Sequence, residues 1–266
     1  MQSLSLLLLV TFLNLSFANA QFDDKFYFPV KAWKPMEGIA FEEVTIITDT
    51  VKLNGIFLKP TGKPKATVLF FHGAGGNVST YTFMTRPLVD RGFQVFMIDF
   101  RGYGKSTGKP THSNVAQDGQ VVFDYLINHN DVKNTKLVVF GASLGSQIAT
   151  KIAKDNQAKI NALVLEGALS SFTDIALFYA PTEQYEMIKQ YLVSPYAAKE
   201  DIKALTDIPK LIVHSKEDKE APYAGSETIY VNAVGQKEFW TFEGQHLGAM
   251  KADANTYISK IEALIK

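Results

Sequence analysis

One serine of this chain has the surroundings that a nucleophile requires. Ser143 is the centre of the pentapeptide GASLG at residues 141–145, which follows the apolar run 137–140 and precedes a helix-like stretch from Ser146. A serine on a tight turn between a strand and a helix projects its hydroxyl out of the sheet, and the glycines allow the strained backbone and the close helix. We therefore predict that Ser143 attacks a carbonyl carbon, provided that the chain also supplies a base and an acid.

The base that would activate this serine is a histidine. For a nucleophile on such a turn, the order along the chain is serine, acid, histidine. Three of the five histidines precede the serine and a fourth ends a predicted strand: His72, His112, His129 and His214. The fifth, His246, lies in a glycine-bounded loop at residues 243–248, after the last predicted strand. We therefore predict His246 as the base.

The acid is expected in the charged loop that follows the seventh predicted strand. A carboxylate is needed there to orient the histidine and to stabilise the imidazolium that forms during the reaction. We predict that Asp218 fills this role. Glu217 and Glu220, which lie in the same loop and can be explained by solvation alone, and Glu166, which ends the preceding strand, remain as alternatives.

A glycine-rich turn, HGAGGN at residues 72–77, follows the third predicted strand. Acyl transfer builds negative charge on the carbonyl oxygen, and two preorganised backbone N–H groups lower that barrier by about 3 to 4 kcal/mol each when tested singly. We predict that the donors are the N–H of Ala74 and the N–H of Leu144, the residue after the nucleophile. A plain glycine turn with no catalytic role is the alternative.

The elements that must position these residues follow an α/β pattern. Short apolar runs alternate with helix-like segments, which predicts an eight-stranded, mostly parallel sheet with helices on both faces. The predicted strands lie at residues 41–48, 52–59, 67–71, 94–98, 137–140, 162–165, 210–213 and 238–242, the first two as an antiparallel hairpin; the main helices lie at 115–128, 146–156, 223–233 and 249–265. Such sheets bind ligands at the carboxyl ends of the parallel strands.

The composition excludes several classes of function. Lys plus Arg balance Asp plus Glu at 27 each, which argues against a nucleic-acid partner or an anionic membrane surface. The chain has no cysteine, which excludes a disulfide framework, a thiolate metal site, a cysteine nucleophile and a lipid-modified amino terminus of the bacterial lipoprotein kind. We predict no metal, because no cluster of histidines and carboxylates has the spacing of metal ligands. We also predict no cofactor. Gly104-Lys105-Ser106 resembles the end of a phosphate-binding loop but has Asp99 at the required earlier glycine, and the turn at 73–76 has Val78 at the third glycine of a dinucleotide-binding motif.

Residues 1–20 have the pattern of a secretory signal peptide. Residues 3–17 are almost entirely apolar and end before Ala18-Asn19-Ala20, a small-x-small cleavage site, although no Lys or Arg precedes them. The alternative is an uncleaved anchor, but about 15 apolar residues rise only about 22 Å as a helix, short of the roughly 30 Å hydrocarbon core. We predict an exported protein, periplasmic or secreted, whose mature chain is one domain at residues 21–266 with no stable membrane span; its oligomeric state stays open.

In the order and spacing of these blocks, the chain resembles the α/β-hydrolase-fold serine hydrolases, in particular the small-lid group related to serine aminopeptidase-like and depalmitoylase-like enzymes. Ser143, Asp218 and His246 match that family's nucleophile, acid and base, and the turn at 72–74 matches its oxyanion turn. The segment DFRGYGKS at 99–106 resembles the family's D-x-R-G-x-G-x-S pattern.

The resemblance also implies that Asp99 and Arg101 make buried polar contacts. The sequence departs from the family at two positions. Ser215 stands where many relatives have glycine after the strand-end histidine, and Asp49-Thr50 replaces the more usual Asp-Gly hairpin turn.

The implied reaction is two-step acyl transfer through an acyl-enzyme on Ser143. Carboxylic esters with small or medium acyl chains are the expected substrates; thioesters and the amides cleaved by aminopeptidases use the same triad and remain open. An aromatic-rich segment at about 169–206 is predicted to form a short helical lid that lines an apolar acyl pocket or simply packs on the sheet. The alternative from another class is a hydrolase-fold protein that binds a ligand without chemistry.

Overall fold

The computed structural model describes residues 22–48 and 51–266. The predicted signal peptide at 1–20 and the hairpin turn at Asp49-Thr50 lie outside the described residues. No helix within the described ranges is both long enough and apolar enough to span a bilayer.

Eight strands form the central sheet: β1 Phe41–Ile47, β2 Lys52–Leu58, β3 Thr67–Phe71, β4 Gln94–Ile98, β5 Leu137–Ala142, β6 Ala162–Glu166, β7 Lys210–Ser215 and β8 Lys237–Phe242. Their order in the sheet is β8-β7-β6-β5-β3-β4-β2-β1. Strand β2 pairs antiparallel with both β1 and β4, and all other neighbours are parallel. The predicted fold class is confirmed, and each predicted strand ends within two residues of the observed one.

Eight α-helices that lie wholly within the described residues accompany the strands: α1 Thr82–Asp90, α2 His112–Asn128, α3 Gly145–Asp155, α4 Phe172–Tyr179, α5 Tyr185–Tyr191, α6 Ala198–Asp201, α7 Tyr223–Asn232 and α8 Ala249–Leu264. Short 3-10 helices lie at Val78–Tyr81, Gln157–Lys159, Thr182–Gln184 and Ile202–Ala204. The helical backbone of α8 is interrupted at Asp253, whose Oδ1 accepts a hydrogen bond from the N–H of Thr256. The prediction of one unbroken helix at 249–265 missed this break.

The helices cover both faces of the sheet because alternate residues of each strand point to opposite sides. In β3, Leu69 and Phe71 join the core beneath α2, α3 and α7, whereas Val68 and Phe70 join the core beneath α1 and α8. The chain between β6 and β7 forms α4, α5 and α6. This arrangement leaves the carboxyl ends of β3, β5, β6, β7 and β8 along one edge of the sheet.

A second, two-stranded pairing was not predicted from the sequence. Phe28–Pro29, near the start of the described chain, pairs in parallel with Gly75–Gly76 of the glycine-rich turn. The predicted oxyanion turn is therefore bound to a segment that lies about 45 residues before it.

Candidate active site

Ser143 lies on the turn between β5 and α3, with its backbone in the left-handed region at φ 53°. The turn is tight: a Cβ added to Gly141 would lie 2.6 Å from the carbonyl oxygen of Gly145. The N–H of Ser143 donates to the carbonyl oxygen of Glu166 at the end of β6, at 2.9 Å. The serine is therefore held at the sheet edge in a strained conformation that points its side chain out of the sheet.

Asp218 and His246 form a buried pair. The Nδ1 of His246 lies 2.6 Å from Oδ2 of Asp218, and the side chains are 8% and 1% exposed. Burial alone would raise the pKa of Asp218, but hydrogen bonds from His214 and His246 outweigh it and hold the pKa below its ordinary value. Because an ionised carboxylate only accepts hydrogen bonds, Nδ1 of His246 carries the proton and Nε2 is left as the basic nitrogen.

The imidazole of His246 stands at the end of β6, next to the serine turn. A Cβ added to Gly167 would lie 2.7 Å from Cε1 of this ring, and Gly167 follows the residue that accepts the Ser143 N–H. Within the described residues, no hydrogen bond joins Oγ of Ser143 to Nε2 of His246. Catalytic hydrogen bonds are often long before substrate binds and shorten in the complex.

A second imidazole contacts the same carboxylate. The buried His214 places Nε2 3.1 Å from Oδ2 of Asp218 and 3.2 Å from the carbonyl oxygen of Ala221, and its Nδ1 lies 2.6 Å from Oγ of Ser226. Since both Nε2 partners are acceptors, Nε2 of His214 carries the proton. The chain order serine, acid, histidine gives His214 no role, and the one sequence signal for this contact is its spacing of four residues from Asp218.

Ser215, one of the two departures from the family pattern, joins the acid loop to the base loop. Its buried hydroxyl donates to the carbonyl oxygen of Gly244 at 2.5 Å and accepts from the N–H of Glu217 at 3.1 Å. Glycine at this position could make neither bond. The hydroxyl therefore fixes the loop of Asp218 relative to the loop of His246.

The glycine-rich turn packs against the nucleophile, since a Cβ added to Gly73 would lie 3.2 Å from Cβ of Ser143. Within residues 22–48 and 51–266, the N–H groups of Ala74 and Leu144 donate no hydrogen bond. Neither predicted oxyanion donor is therefore engaged by another group of the described residues.

His72 orients one of these donors. Its Nε2 accepts from the N–H of Phe100 at 3.3 Å, so Nδ1 carries the proton and donates to the carbonyl oxygen of Gly73 at 2.7 Å. Burial lowers the pKa of His72 to about 4, which keeps this ring neutral. In a trans peptide the C=O and the following N–H point in opposite directions, so holding Gly73 C=O aims the N–H of Ala74 away from His72.

Comparison with known proteins assigns the family. Residues 62–194, which contain the glycine-rich turn and Ser143, match the family described as "Serine aminopeptidase, S33". The chain belongs to this family of α/β hydrolases. The predicted family resemblance is confirmed, and the protein is a hydrolase.

Relatives match over most of the chain. The "Uncharacterized protein YfhR" of Escherichia coli K12 is 31% identical over 233 residues, which cover 85% of this chain and 78% of that protein. The "Alpha/beta hydrolase domain-containing protein WAV2" of Arabidopsis thaliana is 28% identical over 228 residues, covering 79% and 73%. The esterase Pf2001 of Pyrococcus furiosus superposes with a TM-score of 0.70 at 19% identity, covering 89% of this chain and 97% of that one, which shows a shared fold.

The hydrolase segment at 99–106 makes the buried contacts that the resemblance implies. Oδ1 of Asp99 accepts from the N–H of Val78 at 2.8 Å, and Oδ2 accepts from Nε1 of Trp33 at 3.0 Å. Arg101 donates two hydrogen bonds, of 2.5 and 2.7 Å, to Asp118 on α2. Because Val78 directly follows the glycine-rich turn, Asp99 anchors the far end of that turn.

The alternative acids take other places. Glu166 is fully buried, but its Oε1 accepts from the N–H of Ala249 at the start of α8, at 3.0 Å, and burial raises its pKa to about 7. Glu217 and Glu220 are exposed. Of the four carboxylates weighed, Asp218 is the one bonded to His246. Within the described residues, no group of three or more His, Asp or Glu is placed to hold a metal ion.

Proposed function

We propose that this hydrolase is an exported serine esterase that cleaves carboxylic esters through an acyl-enzyme on Ser143. The observation that carries the proposal is the buried Asp218–His246 pair, 2.6 Å apart, beside a serine held at φ 53°. The unoccupied N–H groups of Ala74 and Leu144 supply the second requirement of acyl transfer, a place for negative charge on the substrate oxygen.

The reaction follows from this arrangement. Oγ of Ser143 attacks the ester carbonyl carbon while Nε2 of His246 takes its proton, and Asp218 stabilises the resulting imidazolium. The carbonyl oxygen becomes an oxyanion that accepts from the N–H groups of Ala74 and Leu144. The imidazolium then protonates the leaving alcohol, and a water molecule repeats the sequence to release the acid and free Ser143.

Ester cleavage is favoured over aminopeptidase activity by the state of the buried carboxylates. An enzyme that removes an N-terminal amino acid needs an acidic group to bind the α-ammonium of its substrate. Asp218 is engaged by two imidazoles, and Glu166 is fully buried with a pKa that burial raises to about 7, so neither offers an accessible, fully ionised carboxylate at neutral pH. Thioesters, which carry no such ammonium requirement, are the second class of substrate to test.

Export is proposed from the composition of residues 1–20. N-terminal sequencing of protein recovered from the periplasm or the medium should begin at Gln21. A recovered chain that begins at Met1 would contradict cleavage, and recovery from the cytosol alone would contradict export.

The test of activity is a substrate panel of 4-nitrophenyl esters of increasing acyl length, acyl thioesters and aminoacyl anilides. We expect turnover of the short and medium esters and loss of at least about a thousandfold in Ser143→Ala. Ser259→Ala, which removes an exposed hydroxyl from α8, is the matched control and should retain activity. Ester turnover that persists in Ser143→Ala would overturn the proposal.

A further inference from the structure

The glycine-rich turn is held by a segment that the reaction scheme does not use. Residues 22–34, here called the strap, run along the outside of the turn. The N–H of Phe28 donates to the carbonyl oxygen of Ala74 at 2.9 Å, and the N–H of Val30 donates to that of Gly76 at 3.0 Å. These bonds make the short parallel pairing of Phe28–Pro29 with Gly75–Gly76.

Three of the four residues at 73–76 are glycines. Glycine has the widest choice of backbone conformations, so this turn has little intrinsic tendency to keep one shape. A donor that stabilises an oxyanion must be fixed before the charge develops, because its value lies in needing no reorganisation. The shape of the turn must therefore be imposed by its surroundings.

Each of the four carbonyl oxygens of residues 73–76 accepts at least one hydrogen bond. Four groups outside the turn and His72 at its start supply the donors: Nδ1 of His72 to Gly73, the N–H of Phe28 and the hydroxyl of Tyr103 to Ala74, the hydroxyl of Tyr81 to Gly75, and the N–H of Val30 to Gly76. The strap thus supplies two of five donors. The carbonyls of residues 73–76 are all engaged, whereas the N–H of Ala74 donates no hydrogen bond within the described residues.

The strap is itself fastened on both sides of the pairing. Before it, Oδ2 of Asp23 accepts from the N–H of His112 at 2.9 Å, and the hydroxyl of Tyr27 lies 3.0 Å from Nδ1 of the same histidine at the start of α2. These partners are buried. The strap is therefore docked on the body of the domain and can hold the turn in place.

After the pairing, Nδ2 of Asn77 donates to the carbonyl oxygens of Val30 and Ala32, at 2.9 Å each. Nε1 of Trp33 donates to Asp99, the residue that also anchors the N–H of Val78. The strap and the far end of the turn thus share one buried carboxylate. A displacement of the strap would therefore disturb the hydrogen bonds of Ala74, Gly76 and Asn77.

We propose that the strap is a positioning element of the oxyanion site. It holds the peptide unit that follows Ala74 through the carbonyl of that residue, and His72 holds the peptide unit that precedes it, so that together they fix the backbone of Ala74 and preset the N–H that stabilises the transition state. The inference rests on the proposed esterase function. It assigns to Phe28 and Tyr103 a role in turnover, although neither takes part in proton transfer or bond formation. Loss of their bonds should lower kcat and leave KM nearly unchanged, because an oxyanion donor acts mainly in the transition state.

Two variants test this role. Phe28→Pro removes the strap N–H that donates to Ala74, and Tyr103→Phe removes the second donor while it keeps the buried ring. We expect kcat to fall at least about tenfold in Phe28→Pro and by a smaller factor in Tyr103→Phe, with KM within about twofold. The control is Tyr230→Phe, which removes a tyrosine hydroxyl from α7, outside the strap and the turn, and should leave kcat unchanged.

A transition-state mimic separates positioning from general loss of structure. A trifluoromethyl ketone forms a tetrahedral adduct with a serine and places an oxyanion in the same site. Its inhibition constant should rise in proportion to the loss of kcat/KM in both variants. Wild-type protein without ester turnover would overturn the proposed function and this inference with it. An active wild type with unchanged kcat and inhibition constants in both variants would overturn the role of the strap alone.

Discussion

The ionised state of Asp218 determines whether His246 can act as a base. Asp218 accepts from Nδ1 of His246 and from Nε2 of His214 through the same oxygen, Oδ2. Its other oxygen, Oδ1, accepts from the N–H groups of Glu220 and Ala221 at 2.8 and 2.9 Å. Four donors around one carboxylate explain why its pKa stays below its ordinary value despite burial. The charge that stabilises the His246 imidazolium is therefore present throughout the neutral pH range.

Replacement of Asp218 by Asn should remove this charge and keep the size of the side chain. We expect kcat for ester hydrolysis at pH 7 to fall about 10³- to 10⁴-fold, because the imidazolium loses its counter-charge and the tautomer of His246 is no longer fixed. Steady-state kinetics and thermal unfolding of Asp218→Asn measure the effect on turnover and on the fold.

Glu217→Gln is the matched control, since it neutralises an exposed carboxylate in the same loop. Its kcat should equal that of the wild type. Activity in Asp218→Asn within tenfold of the wild type would contradict the assignment of the acid and would direct attention to Glu166.

Among the elements, the acid and base loops are joined by one hydroxyl. Ser215 at the end of β7 bonds Gly244 of the base loop and the N–H of Glu217 of the acid loop. The relative position of Asp218 and His246 depends on this link as well as on their own hydrogen bond. A glycine at position 215 would leave the two loops without this link.

Ser215→Gly should therefore loosen the site and lower the free energy of unfolding by about 1 to 2 kcal/mol, from the lost hydrogen bonds and the added backbone freedom. We expect kcat to fall severalfold with KM unchanged, as measured by steady-state kinetics and urea denaturation. Ser215→Ala separates the causes, because it removes the hydroxyl without adding glycine's freedom. Unchanged kcat in both variants would show that the link has no part in positioning.

The elements that local sequence specifies were predictable. Strands β3 to β7 are buried on both faces, and such strands read as short continuous apolar runs. Features that depend on distant contacts were not predictable. The pairing of Phe28–Pro29 with Gly75–Gly76 has no strand periodicity, and the break at Asp253 lies inside a continuous helical pattern.

The same distinction applies to the site. Chain order and strand-end position suffice to nominate Ser143, Asp218 and His246. They give no information on His214, which contacts Asp218 only because the chain after β7 turns back on itself. Nor can they reveal the strap, whose contribution is made by backbone N–H groups that every residue except proline possesses.

For the whole molecule, buried titratable groups connect stability to pH. Glu166 is fully buried, and its Oε2 has no hydrogen-bond partner within the described residues. Burial raises its pKa to about 7 from an ordinary 4.5. The folded state therefore binds this proton more tightly than the unfolded state. The resulting stabilisation is complete below about pH 4.5 and is lost as the pH rises through 7.

The two buried histidines His72 and His112 change the stability of the fold in the opposite direction. Burial lowers the pKa of His72 to about 4 and that of His112 to about 3, from an ordinary 6.5. The unfolded state takes up these protons first, so their effect is to destabilise the fold as the pH falls below about 6.5. The contributions of these histidines to stability are the same in the wild type and in a variant of Glu166, so they cancel when the two proteins are compared.

Glu166→Gln keeps an acceptor for the N–H of Ala249 and removes the titration. We expect the variant to gain stability relative to the wild type as the pH rises from 4.5 to above 7, by about 3 kcal/mol in total. Urea denaturation at a series of pH values measures this difference. A difference between the two proteins that is constant across the range would contradict a raised pKa at Glu166.

Covalent labelling with a fluorophosphonate shows whether Ser143 is a nucleophile that the folded site activates. We predict that the folded protein gains one adduct, located by mass spectrometry on the tryptic peptide 137–151 that contains Ser143. Heat-unfolded protein and Ser143→Ala should gain none. Folded wild-type protein that stays unlabelled, or an adduct on another peptide, would show that Ser143 is not an activated nucleophile.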